Sequence, residues 1–271
     1  TGIGLPAYYN DEVIIPALLN RGLTLADARE YNIIGCVEPQ KAGKTDGWHD
    51  AAFFNMCRPL ELVFSNGMDK GELVGIQTGD VTKMTTFEEF YDAYKKQMEY
   101  CISLLVNADN AIDVAHAERV PLPFESCMVD DCISRGLSVQ EGGAIYNFTG
   151  PQGFGIANMA DSLYAIRKLV YEDKKVSMEE YKEALAWNYD KGLDEQSVKD
   201  ISEMILKGMQ DGGMNVTEDT AKAVLTTVMR LKPTEEQLRR FTEIHHMIDE
   251  VPKYGNAIDD VDYFARDVAY T

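Results

Sequence analysis

Basic residues and histidine are scarce: 26 Lys and Arg stand against 45 Asp and Glu, with four His, for a formal net charge of −19 over 271 residues. Nucleic-acid backbones and anionic membrane surfaces recruit clustered Lys and Arg, so neither is expected as a partner. The acids are spread along the chain, the pattern of a solvated cytoplasmic protein rather than of a disordered tail. No apolar run approaches the roughly 18 residues of a spanning helix. Cysteine is sparse too. The five, Cys36, Cys57, Cys101, Cys127 and Cys132, are odd in number, irregularly spaced and include no C-x-x-C pair. That argues against a disulfide framework and a structural zinc site. There is no initial Met, no internal repeat and no low-complexity tract, and the chain reads as an internal segment of a longer protein.

What is present is mostly helical. Residues 11–22 carry acids in a first turn and end at Gly22. Thr24 is placed to cap a short helix that follows. The apolar run Ala51, Ala52, Phe53, Phe54, Met56, Leu60, Leu62, Val63 predicts a helix over 50–66, with Asp50 at its N-cap. Thr86 caps a predicted helix over 87–108, with another over 109–118. Residues 177–248 predict further helices capped by Ser177, Ser197, Thr217 and Thr234. A short apolar strand is expected at Asn32-Ile33-Ile34, a loop at 35–48 and a buried strand over 144–148. The Gly-rich turn TGPQGFG, 149–155, then leads into a helix. Such turns can bind phosphate, but no Gly-Lys-Ser/Thr follows, and close backbone packing is the better account. Strand, Gly-rich turn and helix together indicate an α/β protein. His245 and His246 read as surface residues, not ligands.

Cys36 stands apart from the other thiols. Gly35 before it permits backbone shapes that a packed strand does not need. Glu38 follows two residues on, which in extended chain turns its carboxylate to the side of the thiol. A neighbouring carboxylate disfavours the thiolate. The pair is therefore poorly built for a nucleophilic cysteine and well built for a neutral S–H beside an acid/base group.

The run IIGCVEPQKAGKTDGWHDAAFFN, 33–55, closely resembles the cysteine loop of glycyl radical enzymes of the pyruvate formate-lyase superfamily. TGIGLPAYYNDEVIIPALLNRG at the start, YNFTGPQGFGIANMADSL at 146–163 and PKYGNAIDDVD at 252–262 are similar to the same family, and together they span nearly the whole chain. A single cysteine after Gly35, where pyruvate formate-lyases proper have two adjacent cysteines, resembles the eliminating branch. Gly-Trp-His-Asp at 47–50 is most similar to the diol dehydratases of that branch. The resemblance implies an α/β fold: the second half of a ten-stranded barrel, helix-rich, with a central cysteine loop. Residues 1–271 would be an internal part of the pyruvate formate-lyase-like domain, and the C-terminal glycine radical domain would lie outside them.

The implied chemistry is dehydration of a small diol such as glycerol or propane-1,2-diol. Cys36 would carry the thiyl radical and Glu38 would deprotonate the hydroxyl. Asp50 would hold a substrate hydroxyl, and His49 and Tyr254 would be further substrate contacts. The loop of Tyr254 departs from the family pattern, with Ala257 where an acid usually follows Gly-Asn. The implied cofactor is a protein-based glycyl radical installed by a radical-SAM activating enzyme. The implied partners are that activase, the small-molecule substrate and a second copy of the protein. Alternatives are a sister lyase acting on choline, isethionate, hydroxyproline or an arylacetate, a formate C-acetyltransferase, or an inert truncated fragment.

Overall fold

The computed structural model describes residues 9–35, 38–189, 195–229 and 231–270. The chain divides into two units, one made of Thr1–Phe54 and Ser103–Gly153, the other of Asn55–Ile102 and Phe154–Thr271.

In the first unit the opening helices form for local reasons. Asn10 accepts from the Glu12 N–H at the start of helix Asp11–Asn20, and Thr24 accepts from the Asp27 N–H at the start of helix Leu25–Arg29. Both satisfy donors that a helix leaves open at its first turn. Leu18, Leu23 and Ala28 form a small core against which Ile14, Ile15, Tyr31, Tyr146 and Phe148 pack. Asp27 is buried at its edge and accepts hydrogen bonds from the Tyr146 hydroxyl at 2.7 Å and the Lys44 ammonium at 2.8 Å. These bonds, that of Lys44 first, hold its carboxyl down at about 2.

Two strand pairs then build the frame. Asn32–Ile34 runs antiparallel to Glu38–Gln40, with Ile34 opposite Glu38. Thr45–Trp48 runs parallel to Tyr146–Thr149, with Trp48 opposite Thr149. The expected loop at 35–48 therefore contains two strands, and the strand expected over 144–148 lies at Tyr146–Thr149.

The second unit is a helical assembly. Helix Arg58–Phe64 begins with Pro59 in its first turn and buries Leu60, Leu62 and Val63. The predicted helix over 50–66 is thus overturned in its first half, where Phe53–Asn55 is a strand. Apolar residues at both even and odd positions fit a helix and a strand alike, and the pairing that decides lies far along the chain. The helices expected over 87–108 and 109–118 are one continuous helix, Phe87–Arg119. Its residues to Ile102 belong to the second unit and the remainder to the first. Gln97, fully buried on it, clamps the backbone of Ile76, donating from Nε2 to the carbonyl at 2.5 Å and accepting the N–H at 3.2 Å.

Helix Ile156–Ile166 buries Met159, Ala160, Leu163 and Tyr164 and packs on helix Asp259–Ala269 through Val261, Ala265 and Val268. Ser177 and Thr234 form full capping boxes with Glu180 and Gln237 at helices Met178–Ala186 and Glu235–Glu250. Thr217 accepts from the Thr220 N–H before helix Glu218–Met229. Ser197 instead lies inside helix Glu195–Asp211.

The α/β character holds, but the barrel half does not appear as such. Among the described residues every sheet has two strands, and none closes. A barrel wall requires each strand to bond neighbours on both edges, and the partners available here supply only one.

Candidate active site

The site grows from the ends of the two strand pairs. Glu38 opens its strand and is 8 % exposed. Gly35 sits at φ +58°, and a Cβ placed on it would lie 2.7 Å from Glu38 Oε2. Position 35 therefore disfavours a side chain by its backbone conformation, and a Cβ there would also push the Glu38 carboxylate aside. Cys36, between them in sequence, lies outside the described residues.

The parallel pair Thr45–Trp48 and Tyr146–Thr149 places its two carboxyl ends side by side, where α/β proteins commonly gather ligand groups. The chain leaving the first strand carries His49 and Asp50 in a turn. The chain leaving the second carries Gly150 and Gln152. Two backbone hydrogen bonds lock these exits together, Gly150 N–H to the Trp48 carbonyl at 2.7 Å and Gln152 N–H to the Ala52 carbonyl at 2.8 Å. Asp50 is accordingly in a turn, not at a helix N-cap.

The Gln152 carboxamide is the hub. Its Nε2 donates to Glu38 Oε1 at 3.1 Å, to the His49 carbonyl at 3.4 Å and to Asp50 Oδ1. Glu38, His49 and Asp50, all singled out from the sequence, are thus brought to one nitrogen. Gln152 was not singled out. It sat in a Gly-rich turn read as packing, and its partners lie over a hundred residues away.

The His49 ring packs edge-on against Phe148, centroids 5.4 Å apart. Gly47 and Gly150 make room for it: a Cβ at either would crowd the ring or its backbone. Its Nε2 is buried and has no hydrogen-bond partner among the described residues. Burial lowers its pKa against the opposing pull of Glu38 and Asp50, so the ring is neutral at physiological pH.

Tyr254 belongs to the second unit and is 44 % exposed. Its loop is held by Asp161, which accepts the Tyr254 N–H at 2.8 Å, and by Asp262, which accepts the Gly255 N–H at 2.8 Å. Gly155, at φ +83°, starts helix Ile156–Ile166 and lets Cys57 approach, and Gly150 packs against His49, so these two glycines serve close packing. Among the described residues no cluster of His, Cys, Asp and Glu could hold a metal ion, and His245 stacks on Tyr189 instead.

A small polar cavity of about 150 Å³ lies under the same parallel pair, lined by Asp46, Trp48, Asp113, Asn147 and Thr149 among others. Burial, reinforced by the charges of Glu125 and Asp113, pushes the Asp46 carboxyl up to about 6. The folded state then binds this proton more tightly than the unfolded chain. Stability falls as pH rises from the ordinary carboxylate range to about 6 and stays lowered above it. Asp46→Asn should raise the melting temperature at pH 7.5 and leave it nearly unchanged near pH 4. Thermal melts at the two pH values would show this, and an equal shift at both would contradict the assigned proton.

The pyruvate formate lyase-like family model matches residues 1–271. The chain belongs to the pyruvate formate lyase-like family of glycyl radical enzymes. A family structure concerned with 1,2-propanediol dehydration in Roseburia inulinivorans is 64 % identical. It superposes with a TM-score of 0.94 and is covered over 99 % of this chain and 32 % of its own. The glycerol-bound, B12-independent glycerol dehydratase of Clostridium butyricum is 46 % identical with a TM-score of 0.77, over 99 % of this chain and 28 % of its own. The (2S)-3-sulfopropanediol dehydratase of Klebsiella oxytoca is 38 % identical over 190 residues, 69 % of this chain and 23 % of that protein. This family member therefore spans about a third or less of the relatives it matches. Among its described residues no helix is long and apolar enough to cross a membrane.

Proposed function

We propose that the protein containing this segment is a glycyl radical dehydratase that converts a small 1,2-diol into an aldehyde and water. The observation that carries the reading is the buried Glu38 carboxylate, two residues from Cys36 in sequence and gathered with Asp50 on the Gln152 amide. The 64 % identity with the propanediol-dehydrating relative supports the substrate class.

A glycyl radical elsewhere in the protein, installed by a radical-SAM activase, supplies the one-electron oxidising power. Within this chain, Cys36 removes a hydrogen atom from a substrate carbon and later returns it. Glu38 accepts the proton of the hydroxyl on that carbon, since no alkoxide forms at neutral pH without a positioned base. The adjacent C–O bond then breaks and its oxygen leaves, protonated, as water. Asp50 accepts a hydrogen bond from a substrate hydroxyl and orients it.

His49 serves the site through its main-chain carbonyl and by packing on Phe148, while Tyr254 contributes a substrate contact from its own loop. In the whole protein the short strands take their places in one half of a ten-stranded barrel, and the molecule works in the cytoplasm as a dimer. The test is to activate the full-length protein anaerobically and offer propane-1,2-diol and glycerol. Aldehyde from one or both is expected. A protein that carries the glycyl radical yet turns over neither has another substrate.

A further inference from the structure

We infer that Gln152 is a positioning residue that holds the Glu38 and Asp50 carboxylates together and supplies Glu38 with an N–H donor; the inference rests on the dehydratase reading above.

The side chain has one nitrogen with two N–H groups and three acceptors around it: Glu38 Oε1 at 3.1 Å, the His49 carbonyl at 3.4 Å and Asp50 Oδ1. Its own backbone is fixed to the segment that carries Asp50, through the Gln152 N–H and the Ala52 carbonyl at 2.8 Å. The amide is thus anchored on one side and reaches across to the other strand pair, where Glu38 sits 8 % exposed.

A nearby like charge favours the protonated form of a carboxyl group. An N–H donor does the reverse, since it can be accepted only by a lone pair and stabilises the charged form. Gln is suited to this place in a way its near relatives are not. Glu would add a third negative charge, and Met would match the length while offering no donor. The requirement is geometric: Glu38 must stand where it can accept the substrate proton, and Asp50 where it can accept a hydrogen bond from a hydroxyl.

The test compares full-length wild type with Gln152→Met after anaerobic activation, at equal glycyl radical content by electron paramagnetic resonance. kcat/KM for the diol is expected to fall about tenfold or more. The acid limb of its pH profile should move up as Glu38 loses one N–H donor. An unshifted limb with near wild-type kcat/KM would overturn the role. A uniform loss with an unshifted limb would reduce it to packing and overturn it equally.

Gln152→Asn, polar but one methylene shorter, is expected to shift the limb in the same direction and serves if the Met variant does not fold. A crystal structure of either variant gives a readout without turnover. The Glu38 and Asp50 carboxylates should separate, and unchanged positions would refute the inference. A wild type that carries the radical but makes no aldehyde fails the dehydratase reading instead, and the crystallographic comparison still decides the role of Gln152.

Discussion

Replacing Cys36 with serine in the full-length protein should abolish aldehyde formation while leaving the glycyl radical in place. Serine keeps the size and the hydrogen-bonding capacity of the site but not the chemistry. An S–H bond gives up its hydrogen atom to a carbon-centred radical, and an O–H bond is too strong to do so. In the proposed reaction the activase installs the radical on a glycine elsewhere in the protein, a step that does not pass through Cys36. Electron paramagnetic resonance of the activated Cys36→Ser protein should therefore show wild-type radical content, and the aldehyde assay should show product below detection. Turnover within tenfold of wild type would remove Cys36 from the reaction. Loss of the radical itself would assign the cysteine to activation and not to catalysis.

Glu38→Gln should lower kcat by about 10²–10⁴ with little change in thermal stability. The two side chains have the same length, and a glutamine carbonyl at this position can still accept the Gln152 N–H now taken by Glu38 Oε1. The substitution thus preserves the geometry and removes only the ability to take a proton. Position 38 is buried, so bulk water offers no substitute base. Steady-state rates at matched radical content, together with melting temperatures, separate the two effects. A kcat within fivefold of wild type would exclude Glu38 as the base, and a large fall in melting temperature would assign it a packing role.

The parts of this molecule that could be read from the sequence are those fixed by neighbours in the chain. Ser177 and Thr234 cap helices through residues three positions on, and both were legible for that reason. The special backbone shape at Gly35 was legible from the residue itself, while Cys36 lies outside the described residues. The parallel pairing of Thr45–Trp48 with Tyr146–Thr149 joins segments about a hundred residues apart, and no local pattern announces it. Missing that pairing turned the stretch after Asp50 into a helix and gave Asp50 a capping role it does not have. The same distance hid Gln152, whose importance comes wholly from what two separate strand ends present to it. The described strands form only two-stranded sheets, so a barrel is not legible in this chain alone.

The absence of a side chain at position 35 also ties it to position 38. A Cβ there would lie 2.7 Å from Glu38 Oε2, so a cysteine at 35 would have to push that carboxylate aside as well as adopt a left-handed backbone. Adding a second thiol beside Cys36 would therefore reposition the acid that the proposed reaction uses.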